Sequence, residues 1–196
     1  MRGQRSLGQY RAIDLAIFAA LLAAFEFLLS KAGTVWFSAQ AYVVSLAPLL
    51  TAVVMMRWGA WGAIHAALGG VLTALLYGGD ALNCLVYGGG NLFGLVGLIL
   101  LKKPGWRKIQ GSAAWTLAYG AAVTLGMQTG RGLISFLLDG QTSSLLLAYT
   151  ADVVTTLFTL VALWVVRRLD GVFENQKHYI RRVHKEILSE GEGGSE

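Results

Sequence analysis

The sequence predicts an all-α integral membrane protein with six transmembrane helices and both termini in the cytoplasm. Three observations lead there. The 196 residues are 55% hydrophobic and only 14% charged, with a mean hydropathy of +0.57, against roughly 25% charged in soluble domains. The apolar runs reach the ~17–25 residues that a bilayer crossing needs, and none alternates apolar and polar residues as barrel strands do. Of the sixteen Lys and Arg, all but Lys31 and Arg131 fall on one side of the alternating spans, and such an excess marks the cytoplasmic side.

In chain order, residues 1–11 form a basic cytoplasmic segment carrying Arg2, Arg5 and Arg11, and residues 12–168 form the transmembrane domain. Span 1 is Ala12–Leu29. Ser30-Lys31-Ala32 after it resembles a cleavage site, but Glu26 late in the run and regularly spaced alanines favour a retained helix. Span 2 runs from Ala39 to Met56, with Pro48 as an expected kink. Arg57-Trp58-Gly59 turns the chain into span 3, Ala60–Tyr77. Span 4 covers Leu82–Leu101 and stops at Lys102-Lys103-Pro104-Gly105. Span 5 is Ser112–Gln128, continuing as a broken helix toward Leu138, and span 6 is Leu145–Val166. Trp58, Trp61, Trp106 and Trp164 gather at the inner boundary, as an interfacial aromatic belt does. Residues 169–196 read as a basic amphipathic helix along the inner leaflet or a cytoplasmic partner, followed by a Gly/Ser/Glu-rich tail.

Ionisable side chains within a bilayer are costly and are functional candidates by default. Most of them lie in the outer half. Asp80, Asn83, Tyr87 and Asn91 are three, four and four residues apart, so they share one helical face. Gly88, Gly89 and Gly90 beside them leave room for a helix or a ligand. Glu26, Gln128, Arg131, Tyr149 and Asp152 lie at similar depth on other helices, and Trp36 and Gln141 mark loops above them. Glu26, Asp80, Asp139 and Asp152 outnumber the outer cations. Excess carboxylate with aromatics suits a cationic or zwitterionic, thiamine-like heterocycle. The bland alternative is an ion-pair network that only holds helices together. His65, in the inner half, reads as hydrogen-bonded to a neighbouring helix.

Other classes are disfavoured. No H-E-x-x-H, G-x-S-x-G, Walker A or paired-aspartate motif is present, so no enzyme activity and no cofactor are expected. The lone Cys84 forms neither an intrachain disulfide nor a cysteine metal site. The net charge of +5 reflects topology, with no nucleic-acid partner implied.

Ala12, Ala16, Ala20 and Ala24 recur every four residues along span 1, a smooth face for close helix packing in lipid. With the Arg57-Trp58-Gly59-Ala60-Trp61-Gly62 turn, Gly69-Gly70 and Gly78-Gly79-Asp80, residues 10–168 resemble a substrate-binding S component of an energy-coupling factor (ECF) vitamin transporter. The resemblance implies that Ala16, Ala20 and Ala24 dock on a transmembrane coupling protein carrying two ATPases. It also implies a vitamin site in the outer half and a bacterial-type cell membrane. A six-span scaffold or morphogenesis protein with no ligand is the alternative.

Overall fold

The computed structural model describes residues 6–36 and 44–183. Its centre is helix α2 (Ala47–Trp58), ten of whose twelve residues are buried. Helices α1 (Leu7–Trp36), α3 (Gly62–Leu76), α7 (Ala113–Asp139) and α9 (Val153–Val166) pack around it. Pro48 does not kink this helix. It sits in the first turn, where its missing N–H would have had no partner in any case. The part of the expected span at 39–43 lies outside the described residues.

The chain reverses between α2 and α3 through a 3₁₀ turn, Gly59–Trp61. Gly59 has φ +66°, a backbone region that side-chain-bearing residues avoid. A Cβ on Gly62 would run into the Met55 side chain, and one on Gly69 into that of Ala47. These contacts make α2 and α3 antiparallel arms. Helix α4 (Ala81–Asn91) continues through a 3₁₀ segment, Leu92–Val96, into α5 (Gly97–Leu100). A wider turn at Leu101–Gly105 leads to the short α6 (Trp106–Gly111), and α8 (Ser143–Thr150) precedes α9. A Cβ on Gly70 would meet the Tyr87 carbonyl, and one on Gly130 the Gly90 carbonyl. Backbone therefore touches backbone along α3/α4 and α4/α7, the close approach that small residues permit in lipid.

All regular structure among the described residues is helical. Among the described residues, three helical stretches are long and apolar enough to cross a membrane: Leu7–Gly33, Ala47–Leu76, which reverses within itself at Gly59–Trp61, and Ala81–Gly111. A fourth forms if α8 and α9, bent by 42° at their junction, act together. Six separate spans do not emerge by length and composition, for physical reasons. At 1.5 Å per residue α2 and α3 extend only about 18 and 22 Å, less than the ~30 Å hydrocarbon core. Helix α7, 27 residues long, is diluted by Gln128, Arg131 and several threonines and glycines.

One end of the bundle is tied by Asp14. Its carboxylate accepts from Arg57 Nε and Nη2, both at 2.7 Å, and from Trp58 Nε1 at 2.5 Å. Trp58 is thus a buried member of a polar cluster, while Trp61 and Trp164 are exposed as a belt requires. Arg57 Nη1 donates to the carbonyls of Gly171 (2.6 Å) and Val172 (3.0 Å). Phe173 is fully buried against Tyr119, and His178 lies over Trp106 at 5.1 Å. The segment after Arg168 is therefore folded onto the bundle as far as it is described. Phe173 inserts and Arg57 fastens the backbone beside it, which anchors residues 171–173 to the bundle ahead of a helical stretch at 176–183. Lys185 and the acidic tail lie outside the described residues.

Candidate functional site

At the opposite end, α3 and α4 splay apart around a cavity of about 270 Å³ lined by Thr73, Ala74, Tyr77, Gly78, Gly79, Asn83 and Tyr87. Two pairs four residues apart build its walls. Thr73 and Tyr77 stand one turn apart on α3, and Asn83 and Tyr87 one turn apart on α4, so each pair faces the same way. Helix α3 ends at Leu76, and in the turn after it Gly78, with φ +77°, lets the chain leave without closing the mouth with a side chain. Thr73 and Ala74 form a buried floor, while Gly78 and Asn83 are at an exposed rim.

The start of α4 is fixed by Asp80, whose Oδ1 accepts both the backbone N–H and the Nδ2 of Asn83 at 2.9 Å. This capping arrangement holds the Asp80 carboxyl below its usual range. The chief cause is the Asn83 backbone N–H. It also occupies one amide proton of Asn83 and leaves that side chain's carbonyl to the rim. Tyr77 sits against the Val44 backbone, and its hydroxyl lies beside Gly33 of α1.

Of the residues singled out in the sequence, Asn83 and Tyr87 line the cavity, and the others have different work. Glu26 is buried and caps α2: its Oε1 accepts from Ser45 Oγ (2.7 Å), Leu46 N–H (2.7 Å) and Ala47 N–H (3.1 Å). Its Oε2 accepts from Thr73 Oγ1 at 3.3 Å, which places the carboxylate beneath the cavity floor. Arg131 pairs with Asp152 at 2.5 Å, both nearly buried, and its guanidinium lies 5.2 Å from the centre of the Tyr87 ring. Asn91 donates from Nδ2 to the Ala66 carbonyl at 3.1 Å, tying α4 to α3. Gln128 donates to Thr156 Oγ1 at 2.8 Å, and Tyr149 shares a 2.6 Å hydrogen bond with Thr129. Asp80 is exposed at its cap.

Of this set, the cavity between α3 and α4 takes in Asn83 and Tyr87. Asn91, Gln128, Tyr149 and Asp152 are engaged in helix-to-helix contacts because a polar group in an apolar interior must find a partner. The glycine triplet is likewise filled, Gly88 by Val71 and Gly90 by the backbone of Arg131. The side chain of Trp36 lies outside the described residues, and Gln141 is exposed at the turn after α7. Thr73, Ala74 and Tyr77 are the lining residues that the sequence did not flag, two of them polar. The four-residue spacing of Thr73 and Tyr77 ahead of Gly78-Gly79 was the available signal.

His65 Nε2 lies 3.1 Å from the Leu15 carbonyl, so this histidine bridges α3 to α1. The described residues contain no group of three or more His, Cys, Asp or Glu placed to hold a metal ion. On α1, Ala12, Ala16, Ala20 and Ala24 are all exposed, together with Ile13, Ile17, Leu21 and Phe25. Comparison with family models, curated proteins and solved structures finds no match for the chain.

Proposed function

We propose that this protein is the substrate-binding S subunit of an ECF-type importer. In this reading it captures a small vitamin-like heterocycle from outside and hands it to a coupling protein with two ATPases. The observation that carries the reading is the cavity between α3 and α4, walled by Tyr77, Asn83 and Tyr87 at the end of the bundle opposite the Asp14–Arg57 pair. Its volume approaches the ~300 Å³ at which small-molecule sites begin. The exposed alanine row of α1 supports the coupling partner, since a helix whose smooth face is turned outward can pack closely on another in lipid.

Six crossings with both termini inside complete the proposal. The antiparallel arms α2 and α3 support it, as do the antiparallel contacts of α4 and α5 with α7: Gly90 meets Gly130, and Gly97 meets Val123. So does the clustering of Arg57, Lys102, Lys103, Arg167 and Arg168 at the Asp14 end. A bacterial-type cell membrane is the setting this implies.

Mass spectrometry of small molecules extracted from the detergent-purified protein tests the reading. A heterocycle should co-purify and be lost in Tyr87→Phe/Asn83→Ala protein. A preparation free of any small molecule, from cells in which the protein is folded, counts against it. Replacing Ala16 and Ala20 by leucine should abolish co-purification of a coupling protein while leaving the extracted ligand in place.

A further inference from the structure

We infer that the ligand of the α3/α4 cavity is an uncharged, planar heterocycle of one or two rings. This rests on the binding-subunit reading and replaces the cationic ligand that the sequence suggested. None of the five lining side chains, from Thr73, Ala74, Tyr77, Asn83 and Tyr87, is of an ionised type at neutral pH, and the lining offers only phenols, a hydroxyl, an amide and exposed backbone. The buried acids near it are already answered, and Asp80 stands outside at the solvent-exposed rim. Glu26 has four hydrogen-bond donors, two of them from the N-terminus of α2, whose partial positive charge is its countercharge. Asp152 is neutralised by Arg131, and Arg131 in turn by Asp152, so the pair behind Tyr87 presents no net charge. Asp80 turns its Oδ1 to Asn83.

A charged ligand entering this space would lose its hydration and meet no opposite charge among the lining side chains, a large penalty in a water-poor site. An uncharged ring avoids that penalty and still finds complementary groups. The Asn83 carbonyl accepts, the tyrosine hydroxyls donate or accept, and the aromatic rings cover the faces of the ligand. A volume of about 270 Å³ equals on the order of nine water molecules at ~30 Å³ each, which sets the limit at one or two rings.

The test is equilibrium dialysis of the full-length, detergent-purified protein against two matched sets of probes. One set is nicotinamide, 1-methylnicotinamide and nicotinate. The other is quinoline-3-carboxamide, its N-methylquinolinium cation and quinoline-3-carboxylate. Each set holds the ring constant and varies only the charge. The uncharged member of at least one set should bind tenfold or more tightly than its charged relatives. Tyr87→Phe and Asn83→Ala should each weaken it about tenfold, with ligand-free melting temperatures unchanged. Tightest binding by a cation, lost on Glu26→Gln, overturns the uncharged class while leaving a binding subunit standing. No binding by any probe, or binding indifferent to both variants, overturns the cavity as the site, and the co-purification experiment then decides separately whether the protein binds a small molecule at all.

Discussion

Removing the carboxylate of Glu26 should destabilise the ligand-free protein, and the geometry says by how much. Four donors converge on Glu26, but they do not depend on it equally. Without it, Thr73 Oγ1 keeps its bond to the Gly69 carbonyl at 2.9 Å, and the Ala47 N–H keeps Ser45 Oγ at 3.1 Å. The Leu46 N–H, 2.7 Å from Glu26 Oε1, has no such alternative. Stranding one buried donor costs roughly 1–3 kcal/mol. Losing an anion at a buried helix N-terminus adds up to about 2 kcal/mol. Glu26→Ala should therefore cost about 3 kcal/mol. Glu26→Gln keeps an oxygen for Leu46 and gives up only the charge, so it should cost about half as much.

At ~2–4 °C per kcal/mol for a chain of this length, thermal unfolding in detergent should show a drop of about 6–12 °C for alanine and about 3–6 °C for glutamine. Equal losses for the two substitutions would refute the capping argument, because the amide retains the acceptor that alanine lacks. An unchanged melting temperature in both, coupled to loss of the co-purified ligand, would return Glu26 to the ligand-contacting role that its sequence position suggested.

The remaining expectations concern the other polar contacts. Asp152→Asn or Arg131→Met alone should each cost about 3–5 kcal/mol by leaving one buried charge unmatched, while Arg131→Met/Asp152→Leu together should cost less than either, read as a double-mutant cycle of unfolding. Phe173→Ala should lower stability by about 3–5 kcal/mol, whereas a tail merely resting on lipid would tolerate it without a change in melting temperature. Asp80 has a depressed carboxyl pKa in the folded chain, mainly through the Asn83 backbone N–H. Its contribution is therefore present above the unfolded carboxylate pKa and is lost as pH falls through the lower folded value. Asp80→Asn should flatten this acid limb of the stability profile, and an unaltered limb would show that the cap does not titrate with folding.

The helical character of the fold was legible because it follows from composition and run length, which need no knowledge of neighbours. The turn at Gly59 was legible for a related reason: Arg57-Trp58-Gly59 interrupts an apolar run with a charge and a residue suited to positive φ. Pro48 shows the limit. A proline in a helical run kinks the helix or starts it, and the choice depends on where the backbone ladder begins, which the one-dimensional pattern does not reveal. The segment after Arg168 shows a further limit. Its apolar residues recur at helical spacing, and that spacing serves a lipid surface and a protein groove equally well. What the pattern does not carry is the anchor at its start, the bond from Arg57, 114 residues earlier, to the Gly171 carbonyl.

The candidate site divides along the same line. Depth along a helix is readable at a fixed rise per residue, and depth alone identified Glu26, Asn91, Gln128, Arg131 and Asp152 as groups that water does not easily reach. What depth cannot reveal is the partner. In an apolar surrounding the cost of an unmatched polar group forces a match within the protein first. The deepest polar residues are therefore engaged by the fold first: Glu26 on α2, Arg131 Nη1 on Asp152 and Asn91 Nδ2 on Ala66, while Asn91 Oδ1 and Arg131 Nε stay buried without a hydrogen-bond partner. A ligand competes better for groups nearer the rim, where water already solvates them and exchanging it for a ligand breaks no internal bond. Asn83 and Tyr87 meet that condition, with Tyr77 facing them across the gap. The polar face read from the sequence is thus a face of α4 graded by depth, with Asn91 bonded to α3 and Tyr87, one turn above it, lining an open cavity.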